Sequence, residues 1–200
     1  MLFSSFGFCS PVLRDRFAQV IAQDEQLRQK TCLVMPYAGF DADSTFARER
    51  EGLMEFGFDG QKIVYVRSPE DVIGNPADYI YVPGGDPFRL LQAVNERGLR
   101  DAVVRAVRDT GAVYIGVSAG AYLATPHIGY VMQLEDNNVA DGGLDALCLV
   151  PDSLICHSDH YSFATLRACQ EAGNRPVRTI GDVQLLLYEN GVWSYIGDEL

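Results

Sequence analysis

Residues 112–123 read Ala-Val-Tyr-Ile-Gly-Val-Ser-Ala-Gly-Ala-Tyr-Leu, an order that suits a nucleophile. An apolar, β-branched run leads into Gly116-Val117-Ser118-Ala119-Gly120, and small residues follow it. A serine between a buried strand and a helix sits on a sharp, strained turn. Its flanking residues must be small because side chains would clash there. The hydroxyl then projects beyond the sheet, near the positive end of the helix. A serine hydroxyl is a weak nucleophile until a base takes its proton. The chain offers His127, His157 and His160. His157 follows a short apolar run and is the chosen base, with His160 in the same loop as its rival. His127, after Pro126, reads as structural. Acyl transfer also needs donors aimed at the developing oxyanion. The backbone N–H of Ala119 is one candidate. The N–H of Gly85 is the second, because a glycine pair lets backbone approach a substrate without a Cβ in the way. The same Gly84-Gly85 pair also reads as a strand-to-helix turn, with Asp86 as N-cap and Pro87 as first helical residue. The base needs a carboxylate to orient it, and Glu135, Asp136, Asp159 and Asp182 are the candidates.

These groups need elements to hold them. Apolar periodicity predicts strands over 2–6, 31–36, 62–66, 79–82, 112–117 and 153–156. It predicts helices over 11–28, 43–57 (capped near Asp43 and Ser44), 86–95, 100–108, 119–124 and 163–172. Residues 127–145, rich in Asn, Asp and Gly, read as an excursion or short hairpin. Asn190-Gly191 between the apolar runs 183–188 and 192–196 signals a hairpin. Strands alternating with helices imply an α/β fold, a mostly parallel sheet covered on both faces. Functional groups gather beyond the carboxyl ends of such strands. That rule gathers the glycine pair, Ser118 and the His157 loop. No repeat or linker divides the chain, so residues 1–200 are expected to form one catalytic domain.

Composition narrows the partners. The 200 residues carry a net charge of −11, and Lys30 and Lys62 are the only lysines. Without a basic stripe, nucleic acid and anionic membranes are poor partners. The five cysteines, Cys9, Cys32, Cys148, Cys156 and Cys169, form no Cys-x-x-Cys pair. Buried free thiols in a reducing compartment account for them, and no metal or other cofactor is expected. The N-terminus has no signal-peptide pattern and no window has the length of a membrane span. A cytoplasmic protein is therefore expected.

Two segments together resemble a known family. Tyr-Val-Pro-Gly-Gly-Asp-Pro-Phe-Arg-Leu-Leu (81–91) and Gly-Val-Ser-Ala-Gly-Ala (116–121) are similar to the aspartyl dipeptidase (peptidase E) and cyanophycinase family of serine peptidases. The likeness extends to residues 145–151, followed by His157, and to the tail 180–191. It implies a three-layer α/β sandwich, flavodoxin-like and similar to class I glutamine amidotransferase domains. It implies Ser118 as nucleophile, His157 as base, Asp182 as the acidic third member, and Gly85 and Ala119 as oxyanion donors. Glu135 and Asp136 stay in reserve for the acid. The implied substrates are short peptides, including dipeptides with an N-terminal aspartate, and a homodimer is an admissible assembly. An acidic substrate side chain would need a cation, for which Arg89 and Arg167 are candidates. Two other readings compete. One is an inactive or divergent amidotransferase-like binding domain. The other is an esterase of the α/β-hydrolase type, whose histidine would stand nearer the C-terminus than His160 does.

Overall fold

The computed structural model describes residues 1–8, 10–21, 26–137 and 143–197. Cys9 lies outside the described residues, as do 22–25 of the expected first helix and 138–142 of the expected excursion.

Nine strands and seven α-helices follow one another among the described residues. The chain runs β1 (Leu2–Ser4), α1 (Pro11–Val20), β2 (Cys32–Val34), α2 (Ala42–Phe56), β3 (Ile63–Tyr65) and α3 (Pro69–Gly74). It continues through β4 (Tyr79–Val82), α4 (Pro87–Glu96), α5 (Arg100–Arg108), β5 (Val113–Val117) and α6 (Ala119–Leu123). It ends with β6 (Ser153–Cys156), α7 (Phe163–Gly173), β7 (Val177–Ile180), β8 (Leu185–Glu189) and β9 (Val192–Ile196). The main sheet has the order β3-β2-β4-β5-β1-β8-β9. Its first five strands are parallel and the β8–β9 hairpin joins antiparallel to β1. Strands β6 and β7 form a separate parallel pair.

Alternation along the strands divides the core in two. Phe3, Leu33, Ile80, Val82 and Tyr114 face one cluster, with Val72, Leu90, Val94 and Val103 of α3, α4 and α5. Leu2, Cys32, Val34, Tyr79, Tyr81 and Ile115 face the other, with Leu13, Phe17 and Leu53 of α1 and α2. Helices therefore cover both faces of a mostly parallel sheet, the expected three-layer α/β sandwich. Phe8 and Phe17, both inaccessible or nearly so, stack with ring centroids 4.4 Å apart. Burying each such ring contributes roughly 2–3 kcal/mol.

The local signals explain the element ends, including those the sequence misplaces. Asp86 caps α4 by accepting from the N–H groups of Phe88 and Arg89, with Pro87 in the first turn. The cap of α2 is Asp41, two residues before the expected position, and it accepts from the Asp43 N–H. Helix α3 has no counterpart among the expected elements, although Ser68 and Asp71 form a complete capping box around Pro69. Strand β7 also has no counterpart among the expected elements, since half-buried Arg178 and Thr179 blur its apolar pattern. The expected first helix is α1 followed by a separate 3₁₀ turn, Leu27–Gln29. The excursion contains a 3₁₀ helix, Gly129–Gln133, and a bridge between His127 and Asp145. His127 accepts from the Gly129 N–H through Nδ1, a structural role. The hairpin turns at Asn190 and Gly191, both with positive φ. Cys32, Cys156 and Cys169 are buried free thiols, but Cys148 is exposed, which corrects the expectation of uniformly buried cysteines. None of the described helices is long and apolar enough to cross a membrane.

Candidate active site

The elbow between β5 and α6 has the geometry its sequence demands. Ser118 adopts φ 47° and ψ −108°, a conformation that costs a non-glycine residue about 1–3 kcal/mol. The surroundings hold it there. The Ser118 N–H donates to the Ser4 carbonyl at the end of β1, and its carbonyl accepts from the Ala121 and Tyr122 N–H groups. Glycine is required beside it by close approach: a Cβ on Gly120 would lie 2.0 Å from the Val82 carbonyl oxygen. One on Gly116 would lie 2.6 Å from the Gly120 carbonyl oxygen. The elbow thus packs directly onto the end of β4. There Gly85 has φ +140°, and a Cβ at Gly84 would stand 3.1 Å from the Ser118 Cβ. The glycine-pair turn and the serine are neighbours.

The second half of the site comes from the β6–β7 pair. Cys156 and Ile180 are partners in its parallel register, so the residues after both strands leave from the same edge. His157 follows β6 in the left-handed region, φ 57° and ψ 32°. Asp182 follows β7 by one glycine. The His157 Nδ1 lies 2.8 Å from Asp182 Oδ1, and its Nε2 lies 3.2 Å from Ser118 Oγ. An ionised carboxylate only accepts, so Nδ1 carries the proton and Nε2 faces the serine as acceptor. A distance of 3.2 Å fits a site without substrate, where such bonds are longer.

Ser5 ties the two halves together, and no sequence signal singles it out. Its hydroxyl accepts from the His157 N–H at 2.8 Å and reaches the carbonyls of Ile180 and Gly181 at 3.0 and 3.2 Å. The buried hydroxyl therefore links the ends of β1, β6 and β7. Phe6 packs edge-on against the His157 ring, with centroids 4.9 Å apart. Gln184 accepts from the Gly181 N–H and Asp159 accepts from the Asp182 N–H. Among the described residues, His157 meets Asp182 rather than Glu135 or Asp136. Glu135 is half-buried, and burial with the nearby Asp86 charge raises its carboxyl above the usual range.

Asp182 also holds His160, whose Nε2 lies 2.5 Å from Oδ2. Burial alone would raise the Asp182 carboxyl. The hydrogen bonds and charges of His160 and His157 outweigh it and hold the carboxyl below its ordinary value. In return, the hydrogen bond and negative charge of Asp182 raise His160 above 6.5. Stability from a raised histidine is fully present below its unfolded value and is lost as pH rises through the folded one. Stability from a lowered carboxylate is lost as pH falls through its folded value. The pair therefore contributes between the lowered Asp182 value and the raised His160 value. A proton NMR titration should give His160 a midpoint above 6.5, and Asp182→Asn should return it towards that value. A His160 midpoint unmoved by Asp182→Asn would contradict the pairing.

Ser118 and His157 line a cavity of about 320 Å³ with Gly84 and Gly85. Arg48, Glu49 and Tyr81 form another part of its wall. The arginines expected to bind substrate are not brought to it. Arg89 lies over the exposed Phe40 ring at 4.3 Å, and Arg167 pairs with Glu171 one helical turn away on the exposed face of α7. Arg48 occupies the wall instead. Among the described residues, no group of three or more His, Cys, Asp or Glu side chains is placed to hold a metal ion.

The chain is similar in sequence and fold to known proteins. The chain is 40% identical over 94 residues to Peptidase E of Streptomyces coelicolor, covering 47% of this chain and 38% of that one. It is 33% identical over 129 residues to a Drosophila melanogaster protein named "Probable alpha-aspartyl dipeptidase", covering 64% of this chain and 52% of that one. The chain thus spans about half the length, or less, of these curated relatives. A 1.5 Å crystal structure assigned to a peptidase E protein of Listeria monocytogenes EGD-e shares the fold, with a TM-score of 0.77 and 20% identity. That superposition covers 99% of this chain and 98% of the other. The model of peptidase family S51 matches residues 9–199, and the chain belongs to that family.

Proposed function

We propose that this chain is a serine-type peptidase that hydrolyses short peptides at Ser118. The observation that carries the reading is the unbroken hydrogen-bonded line from Ser118 Oγ through His157 to Asp182. Ser118 Oγ attacks the scissile carbonyl while His157 Nε2 takes its proton. Asp182 holds the tautomer and stabilises the imidazolium that forms. The N–H groups of Gly85 and Ala119 receive the oxyanion. His157 then protonates the leaving amine, and water activated by the same imidazole releases the acyl group. The chain order Ser, His, Asp differs from the Ser, acid, His order of α/β-hydrolases, and family membership supports the peptidase over an esterase.

The proposed substrates are short peptides, among them dipeptides with an N-terminal aspartate. The name of the Drosophila relative supports that class. Residues 1–200 act as one catalytic unit in this reading, since β1 pairs with both β5 and β8 in one sheet that also holds β9. A cytoplasmic location suits the free thiols of Cys32, Cys156 and Cys169. A homodimer is the proposed assembly, which light scattering measures. The test of function is a dipeptide library incubated with the purified chain and read by mass spectrometry. Cleavage of a subset of dipeptides is expected. An intact library after prolonged incubation would overturn the reading.

A further inference from the structure

The cavity wall also carries a group of side chains that the hydrolytic steps do not use. Glu49 is buried in α2, with only 8% of its side chain exposed. Its Oε2 accepts from the Tyr81 hydroxyl at 2.8 Å. Its Oε1 accepts from Arg48 Nε at 3.1 Å and Nη2 at 2.8 Å. Tyr81 reaches this position from the middle of the sheet because residue 7 is glycine: a Cβ there would lie 2.4 Å from the Tyr81 hydroxyl. A buried carboxylate is costly unless paired and hydrogen-bonded, so Glu49 fixes the guanidinium in place. Arg48, by contrast, keeps 61% of its side chain exposed. Among the described residues that line the cavity, it is the one arginine or lysine.

We infer that Arg48 is the carboxylate receptor of this site, a specificity-determining residue positioned by Glu49 and Tyr81. The inference rests on reading the cavity as a peptide site. A guanidinium presents its donors as a planar fork, which matches a carboxylate. Arg48 and Glu49 together carry no net charge, so recognition rests on directed guanidinium N–H donors, which suits the single charge of a carboxylate better than a doubly charged phosphate. The ligand is a short peptide whose carboxylate belongs either to an acidic side chain or to its C-terminus. Both present the same chemistry to Arg48.

Isothermal titration of the Ser118→Ala protein tests this without turnover, using Asp-Ala, Asn-Ala and the C-terminal amide of Asp-Ala. Removing the recognised carboxylate should weaken binding about ten- to a hundred-fold, the scale of a charge-assisted hydrogen-bonded pair. The loss falls on Asn-Ala if the side chain is read, and on the amide if the C-terminus is read. Adding Arg48→Gln should bring the affected ratio close to one, and Arg48→Lys, which keeps the charge without the fork, to an intermediate value. The lysine variant also covers a failure of the glutamine variant to fold. Equal binding of all three peptides, no binding of any, or a preference unchanged in the Arg48 variants would overturn the inference. Turnover by the unmodified chain separates the two readings. A chain with an Arg48-dependent preference that cleaves nothing refutes the peptidase and keeps the receptor. A chain that cleaves without any such preference does the reverse.

Discussion

Ser118→Ala is expected to lower kcat by on the order of 10⁶-fold, the scale seen when a triad nucleophile is removed. Among the described residues that line the cavity, the other hydroxyls are already engaged: Ser5 with the His157 backbone and the end of β7, and Tyr81 with Glu49. The fold should not notice the change. The contacts that hold the elbow are those of the Ser118 backbone with Ser4, Ala121 and Tyr122, and alanine keeps all of them. The Tm should therefore stay within a few degrees of the parent while turnover vanishes. Steady-state kinetics on a dipeptide substrate, paired with thermal unfolding, checks both halves. A variant with parental turnover would remove Ser118 from the reaction.

Asp182→Asn is expected to lower kcat by about 10⁴-fold, as for the aspartate of well-studied triads. The amide can present its nitrogen to Nδ1, and the imidazole is then held in the wrong tautomer. The loss should appear in kcat, since Asp182 stands behind the histidine and away from the substrate. Glu135→Gln and Asp136→Asn are the comparison, and both should leave turnover within a few-fold of the parent. An Asp182→Asn protein as active as those two would mean that Ser118 and His157 work as a dyad.

The parts of this site differ in how far the sequence exposes them. Ser118 is readable because steric need is written into its neighbours: only glycine fits at 116 and 120, where the elbow touches Val82 and its own helix. His157 is readable because it follows a short apolar strand. Asp182 is harder. Its strand, β7, carries Arg178 and Thr179 and pairs only with β6, so no buried apolar run announces it. It is the parallel register of that pair that puts Asp182 beside His157. Arg48 and Glu49 are concealed for a different reason. They sit in the run Arg48-Glu49-Arg50-Glu51, which reads as a solvated helical face, yet Glu49 turns inward to Tyr81. Tyr81 itself reads as core within Tyr-Ile-Tyr-Val, and only its hydroxyl shows that it belongs to the cavity wall. Arg89 and Arg167 lie outside the cavity lining for the converse reason. Each follows a segment that reaches the site, but the helix turns each outward, to Phe40 and to Glu171.

The most direct test of the account is covalent capture of the nucleophile. The chain is treated with a serine-directed fluorophosphonate, digested, and the adduct located by tandem mass spectrometry. The account predicts one adduct, on the peptide containing Ser118, formed much more slowly in His157→Gln and absent in Ser118→Ala. An adduct on another residue, or none from the native protein at probe concentrations that saturate an ordinary serine hydrolase, would contradict it.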